Sequence, residues 1–366
     1  MRSGPHAPPL RGSLPPEGAD PAGGGPAPDR SGPHAPPLRV SLPPEGADPT
    51  GGGPAPDRSG PHAVPLGGSP GSVAVVGAGN MGGAMVARLC EKGWLVTVCD
   101  IDPACQRAAR SAGALLADNP ARAVAKLGPG GVLIVCVVTA RQAREVLFGN
   151  FGAAEHMRSG QAVMLCPTMA PEDTEAMADE LGWSDIACID APMSGGPARA
   201  RDGSMSLMLA APNAVLDRHA ALLDDLSGQC FRVSERVGDG ARTKLVNNLL
   251  AGINLVGAAE AMALAERLGL RLDTTLDVIE RSSGQSWIGS DRMRRALAED
   301  WAPRAHVTLL EKDTRLAVEA AQAAGFVGPL GPHAAQVFAQ AHAAGLADCD
   351  DAALLKLLRQ DALKPR

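Results

Sequence analysis

Ser72-Val-Ala-Val-Val-Gly77-Ala-Gly79-Asn-Met-Gly82 decides the fold of this chain. An apolar, β-branched run over Val73–Gly77 reads as a strand that enters a Gly-x-Gly-x-x-Gly turn, with a helix following around Met81–Lys92. Gly77 permits the tight turn, Gly79 lets backbone approach a diphosphate, and Gly82 lets the helix pack on the strand. Free N–H groups and the dipole at the helix N-terminus favour the anion. The next strand ends at Asp100, 23 residues after Gly77. An acid there hydrogen-bonds the adenosine ribose hydroxyls and repels a 2′-phosphate. Ile101 follows, so no arginine stands beside Asp100 to receive that phosphate. NAD is therefore the expected cofactor, with NADP less favoured, held by Gly77, Ala78, Gly79, Asn80, Met81, Gly82 and Asp100.

Outward from this turn, strand-like runs recur at Trp94–Asp100, Val132–Val138, Ala162–Cys166, Ile186–Asp190 and Met205–Ala210. Helical stretches separate most of them: Ala104–Ala112, Arg141–Leu147 and Pro171–Leu181. Such alternation predicts an α/β domain over residues 72–236, a Rossmann-type, mostly parallel sheet with helices on both faces. No proline occurs between Pro212 and Pro303, and Ala, Leu, Glu and Arg dominate. Residues 237–366 are therefore expected to form an all-α domain for substrate binding and oligomerisation.

Residues 1–71 differ. Nineteen of the chain's 31 prolines lie in the first seventy positions, and Arg2-Ser-Gly-Pro-His6 returns at Arg30 and Arg58, a period of 28. No repeat has an apolar face to stack on its neighbour, so this tail is expected to be disordered, a translated DNA repeat or an upstream start. It holds five Arg against six Asp plus Glu and lacks an apolar stretch, which argues against a presequence or secretory signal.

The 366 residues with 45% hydrophobic side chains allow about two domains. A net charge of -6 argues against a nucleic-acid partner. The longest uninterrupted apolar run, Val132–Val138, falls far short of the ~20 residues that span a bilayer, so no membrane partner is expected. Eight cysteines without a Cys-x-x-Cys pair or metal-ligand spacing suggest a reduced, cytoplasmic chain without a metal site. There is no tyrosine, which excludes mechanisms that need a tyrosine acid.

Gly238-Asp-Gly-Ala-Arg-Thr-Lys244-Leu-Val-Asn247-Asn248 opens a helix expected to reach about Leu268, roughly 40 Å long at 1.5 Å per residue. Its small apolar residues imply a crowded core. Lys244 shares a face with Asn247 or Asn248. A cation is poorly placed near a helix N-terminus. Burial, that terminus and a nearby nicotinamide cation all push a lysine toward the ~7–8 useful for acid–base work.

With these residues in view, the sequence resembles the β-hydroxyacid dehydrogenases, the group containing 3-hydroxyisobutyrate dehydrogenase and tartronate semialdehyde reductase. The likeness runs from Ser72 to the C-terminus. Four blocks carry it: the Gly77–Gly82 turn, Asp190-Ala-Pro-Met-Ser-Gly-Gly196 with Gly203-Ser-Met-Ser-Leu-Met, Gly238-x-Gly240-x-x-x-Lys244-x-x-Asn247, and Lys312-Asp313. The resemblance implies that Lys244 is the general acid–base, taking the hydroxyl proton as hydride leaves the same carbon, with Asn247, or the neighbouring Asn248, orienting substrate and lysine. It implies that Ser194, Gly195 and Gly196 grip the substrate carboxylate, with Asn248 nearby. Lys312 then lies near the nicotinamide end of the pocket, with Val138 and Thr139 along the cofactor. Thr168 keeps only the last hydroxyl of the family's Asp-x-Ser-Ser/Thr pattern, because Leu165-Cys-Pro precedes it. Ser286-Trp287 and Arg292 are expected to close over the pocket.

The activity implied is NAD-dependent interconversion of a small 3-hydroxy acid, 3-hydroxyisobutyrate-like, with its oxo form, in a homodimer or homotetramer. Alternatives are an L-threonate-type sugar-acid dehydrogenase or a 2-hydroxy-3-oxopropionate reductase. More remote are a 2-hydroxyacid dehydrogenase with a histidine base (His156, His219, His306, His333 or His342) and a non-catalytic NAD-binding scaffold.

Overall fold

β1 (Ser72–Val76) lies third from one edge of a nine-stranded sheet, and the chain builds the sheet on both sides of it. A computed structural model describes residues 70–361; the proline-rich repeats at 1–69 lie outside the described residues. After β1 come α1 (Asn80–Glu91), β2 (Leu95–Cys99), α2 (Pro103–Ser111), β3 (Leu115–Leu116), α3 (Pro120–Val124), β4 (Val132–Val135), α4 (Ala140–Phe148), β5 (Ala162–Leu165), α5 (Pro171–Gly182) and β6 (Ala187–Asp190). There follow β7 (Met193–Ser194), α6 (Gly196–Asp202), β8 (Ser206–Ala210), α7 (Asn213–Arg218), α8 (Ala220–Leu226) and β9 (Gln229–Ser234). The rest is helical: α9 (Asp239–Arg267), α10 (Leu272–Glu280), α11 (Trp287–Leu297), α12 (Val307–Ala323), α13 (Leu330–Ala341) and α14 (Leu354–Asp361).

The strand order is β3-β2-β1-β4-β5-β6-β8-β7, with β9 also on β8. Pairings from β3 to β6 are all parallel; β8 runs antiparallel to β6 and β7 and parallel to β9. Strands buried on both faces need continuous apolar sequence, and Val73–Val76, Val132–Val135 and Ala162–Leu165 are buried throughout. One cluster around Val75, Met85 and Ile134 fills one face of the sheet, and another around Ala74, Leu133 and Leu147 fills the other. The chain runs outward from β1 to β2 and β3 and then crosses back from β3 to β4 on the other side of β1, so the C-terminal ends of β1 and β4 flank a topological switch point, where such sheets bind ligands.

Helix starts follow local chemistry. Asp102 caps α2 ahead of Pro103, and Asn119 caps α3 ahead of Pro120. Three strands escape the sequence reading. β3 and β7 have two residues each, and β9 (Gln-Cys-Phe-Arg-Val-Ser) is a partly exposed strand with mixed polarity.

The 29-residue α9 packs against α11, α12, α13 and α14. Gly252 is where α12 comes closest, since a Cβ there would lie 2.5 Å from Thr314 Cγ2. Among the described residues α9 is the one helix long and apolar enough, by length and composition, to cross a membrane. A search for uninterrupted apolar runs misses it because Asn254 and Glu260 break the sequence. Its buried face joins a third core with Leu276, Met293, Leu310 and Phe338, and the described residues form one compact unit.

Candidate active site

The Gly-rich turn emerges from β1 with Gly77 at φ +91. A Cβ on Gly79 would meet nothing within 4 Å, so the space above the turn is left for a group the chain does not supply. Asp100, at the end of β2, accepts the Ala78 N–H through Oδ2 at 2.5 Å and the Asp102 N–H through Oδ1 at 2.8 Å. Its carboxylate therefore faces the turn, where ribose hydroxyls fit and a phosphate is repelled. This arrangement fits a dinucleotide. Val138 is exposed beyond β4, and Thr139 caps α4 in a capping box with Gln142. Both lie at the same sheet edge as the turn.

Two further segments meet this edge. After β5, the Thr168 carbonyl accepts a hydrogen bond from Lys312 Nζ on α12 at 2.5 Å. Lys312 also donates to Asp313 Oδ1 at 2.6 Å. The other carboxylate oxygen, Oδ2, accepts from Asn248 Nδ2 at 2.6 Å. Lys244, Asn248 and Asp313 are all buried, and Asp313 acts electrostatically on Lys244. Burial pushes the Lys244 ammonium down from 10.5 to about 8; Asp313 pulls it up, and Lys312 pushes it down. Lys244 makes no hydrogen bond among the described residues, so its amine is free to accept or give a proton.

The structure separates the two asparagines. Asn247 is exposed and donates to Asn248 Oδ1 at 2.9 Å, whereas Asn248 is buried against Asp313. At about 100° per residue, position i+4 returns to within ~40° of Lys244 while i+3 lies ~60° to the other side. Asn248 shares the lysine's buried surroundings, and Asn247 reaches them through its hydrogen bond to Asn248. Asp313 was visible as half of a sequence block, but nothing in its spacing showed that it would turn inward beneath Asn248, 65 positions away.

Ser194 closes β7, and Gly195 and Gly196 follow with φ of 128 and 74. Arg199 lies across this turn, its Cδ 2.9 Å from where a Gly195 Cβ would stand. The guanidinium sits 5.6 Å from the Trp287 ring, and Arg292 lies 6.0 Å from the same indole. Ser286 caps α11 and so fixes the start of the segment that carries Trp287. Arg292 is engaged by Asp291 and buried Asp351, whereas Arg199 has no acidic partner within ion-pair distance among the described residues. Arg199 was not singled out by sequence; no motif distinguishes an arginine that folds back over its own helix start.

None of the five histidines among the described residues hydrogen-bonds to the Lys244 cluster. His306 meets the Asp348 carbonyl, His342 meets Glu311, and His219 is buried with Nε2 unpartnered.

Known proteins resemble this chain over most of its length. The family model for the NAD binding domain of 6-phosphogluconate dehydrogenase matches residues 72–234. The model described as the NAD-binding domain of NADP-dependent 3-hydroxyisobutyrate dehydrogenase matches residues 238–358. The chain is 35% identical over 291 residues to an L-threonate dehydrogenase of Escherichia coli, covering 79% of this chain and 95% of that one. It is 31% identical over 274 residues to a 3-hydroxyisobutyrate dehydrogenase of Pseudomonas aeruginosa, covering 73% of this chain and 90% of the other. A crystal structure of 3-hydroxyisobutyrate dehydrogenase from Salmonella typhimurium superposes with a TM-score of 0.73 at 34% identity, over 78% of this chain and 99% of that one.

Proposed function

The chain belongs to the β-hydroxyacid dehydrogenase family and is an NAD-dependent oxidoreductase of small 3-hydroxy acids; within that class we propose a 3-hydroxyisobutyrate-like substrate and Lys244 as the acid–base. The observation that carries the assignment of Lys244 is its buried amine, pushed down to about 8 beside Asn248 and Asp313. In oxidation the neutral amine takes the substrate hydroxyl proton; in reduction the ammonium returns it. Asp313 faces Lys244 and keeps its charged form accessible in a site that burial would otherwise hold neutral. Ser194, Gly195 and Gly196 offer a hydroxyl and backbone N–H groups to the substrate carboxylate. Gly77–Gly82, Asp100, Val138, Thr139, Thr168 and Lys312 line the cofactor side, and NAD, when bound, supplies the hydride acceptor.

The Arg199–Trp287 stack favours a second reading, a longer sugar acid of the L-threonate type. A guanidinium presents five donors, enough to meet additional hydroxyls beyond the carboxylate grip. NAD⁺ reduction with 3-hydroxyisobutyrate, glycerate and L-threonate separates the two. The highest kcat/KM on 3-hydroxyisobutyrate supports the first reading, and the highest on L-threonate replaces it with the second. NADH binding without turnover on any acid would leave a scaffold.

We further propose a homodimer, in a reducing cytoplasm, built through α9. Val246, Leu250, Leu264 and Leu268 are exposed by 71, 59, 56 and 65%. With Ile253, Gly257 and Ala261 they lie within ~80° of arc along ~33 Å of helix. An apolar stripe of that length on a surface marks an interface. Leu250→Asp with Leu264→Asp is expected to shift the sedimenting species from dimer to monomer. A wild-type monomer at micromolar concentration would remove the proposal.

A further inference from the structure

The N-terminus of α9 has no cap of its own. Its N-cap residue is Gly238, in the left-handed region at φ 99, and makes no side-chain hydrogen bond. A helix start buried without partners leaves N–H groups unsatisfied. Here the acceptor comes from another element. Asp190, the last residue of β6, accepts the N–H groups of Gly238 and Ala241 through Oδ2, both at 2.9 Å. Asp190 is 2% exposed. The approach is close enough that Gly240 has no room for a side chain: its Cβ would lie 2.9 Å from Asp190 Oδ2 and 2.8 Å from the Met208 carbonyl oxygen. One carboxylate therefore joins the sheet edge to the first turn of the helix that carries Lys244 one turn later. The same residue lies four positions before Ser194, so it sits between the two segments that meet substrate.

We infer that Asp190 is a positioning residue for the reaction, a remote cap that fixes the first turn of α9, and with it Lys244, against the Ser194–Gly196 turn. The inference rests on the reading of Lys244 as acid–base. A hydrogen-bond acceptor alone suffices to cap a helix, but the charge adds something specific. An anion at the N-terminal end offsets the helix dipole. Side chains in a helix lean toward its N-terminus, so Lys244 leans toward that end. Neutralising Asp190 leaves at the positive end only Asp239, itself paired with Arg236 and Arg242, and moves the Lys244 amine to a lower pKa.

The charge is kept at a cost. Burial raises the Asp190 carboxyl from 3.8 to about 6, while the N–H groups of Ala241, Gly238 and Gly240 pull it back. A carboxyl whose native pKa lies above its unfolded value loses stability as pH rises from about 4 to about 6, and the cost persists above that range. The other groups facing it do not relieve this. Asp239 works against the charge but is itself paired with Arg236 and Arg242, and Glu175 pairs with Arg242. The Cys166 and Cys188 thiols are kept protonated by burial. An asparagine here would keep an acceptor for the cap without the charge.

The test compares Asp190→Asn, Asp190→Ala and Lys244→Ala for kcat, KM, NADH affinity by fluorescence and melting temperature. Asp190→Asn, which keeps an acceptor for the cap, is expected to hold kcat within about threefold, with NADH affinity within about twofold and a melting temperature no lower than wild type. The acid limb of its oxidation profile, where Lys244 loses its proton, should move down by roughly 0.2–0.7 pH units. Asp190→Ala, which removes the acceptor, should lower kcat by about 10-fold or more. Unchanged kcat in both Asp190 variants, with Lys244→Ala inactive, overturns the inference. So does a kcat loss that merely follows a lower melting temperature and lost NADH binding. An active Lys244→Ala instead overturns the assignment of the base, and a shifted pH limb in Asp190→Asn would then belong to another group.

Discussion

Replacing Lys244 with alanine is expected to lower kcat for hydroxy-acid oxidation by ~10²-fold or more, with NADH affinity close to wild type. The amine is the one buried base without a hydrogen-bond partner in the cluster formed by Asn248, Asp313 and Lys312. Wild-type oxidation should rise with pH through about 8, where Lys244 becomes neutral, and reduction should fall over the same range. Stability has its own signature. The native lysine releases its proton near 8 while the unfolded chain holds it to about 10.5, so stability rises with pH across that interval. At neutral pH the native state therefore bears the cost of a buried ammonium. Lys244→Met, which keeps the volume and drops the charge, is expected to raise the melting temperature while abolishing turnover; the difference across 8 to 10.5 corresponds to on the order of 3 kcal/mol. A Lys244→Met protein that is both inactive and less stable would mean that the ammonium is stabilised by its surroundings, contrary to the burial argument. Turnover untouched by Lys244→Ala would discard the lysine and return attention to the histidines.

Substitutions in the Gly-rich turn should separate folding from cofactor binding. A Cβ on Gly82 would sit 1.9 Å from the Gly77 carbonyl oxygen, a contact that only backbone movement relieves. Gly82→Ala is expected to cost about 2–3 kcal/mol of stability and to weaken NADH binding by ~100-fold or more. Gly79→Ala offers the contrast. Its Cβ meets no protein atom within 4 Å, so the melting temperature should stay at the wild-type value while NADH affinity falls, because the methyl occupies the space above the turn. Fluorescence titration with NADH beside thermal melts reads both effects. Equal NADH affinity in Gly79→Ala and wild type would mean that the dinucleotide does not approach this backbone.

Sequence alone determined what depends on neighbours along the chain. The strand–turn–helix at Ser72–Gly82 needs only its own apolar run and glycines, and the parallel sheet follows from repeated alternation of buried strands and helices. The amine at Lys244 and the acid at the end of β2 were legible because each stands at a recognisable offset from a motif. The edge of the sheet was less legible. β7 has too few residues to show a period, and β9 lacks a clean apolar alternation because one side of it is solvated. Tertiary structure decided what depends on residues far apart in sequence. It buried Asn248 against Asp313 on α12 while leaving Asn247 exposed, and it brought Arg199 onto Trp287. It also set Asp190 beneath a helix that begins 49 positions later. The reason is physical: backbone periodicity specifies which face a residue occupies, but which carboxylate comes to lie against that face depends on how the helices pack, and packing is a property of the whole core.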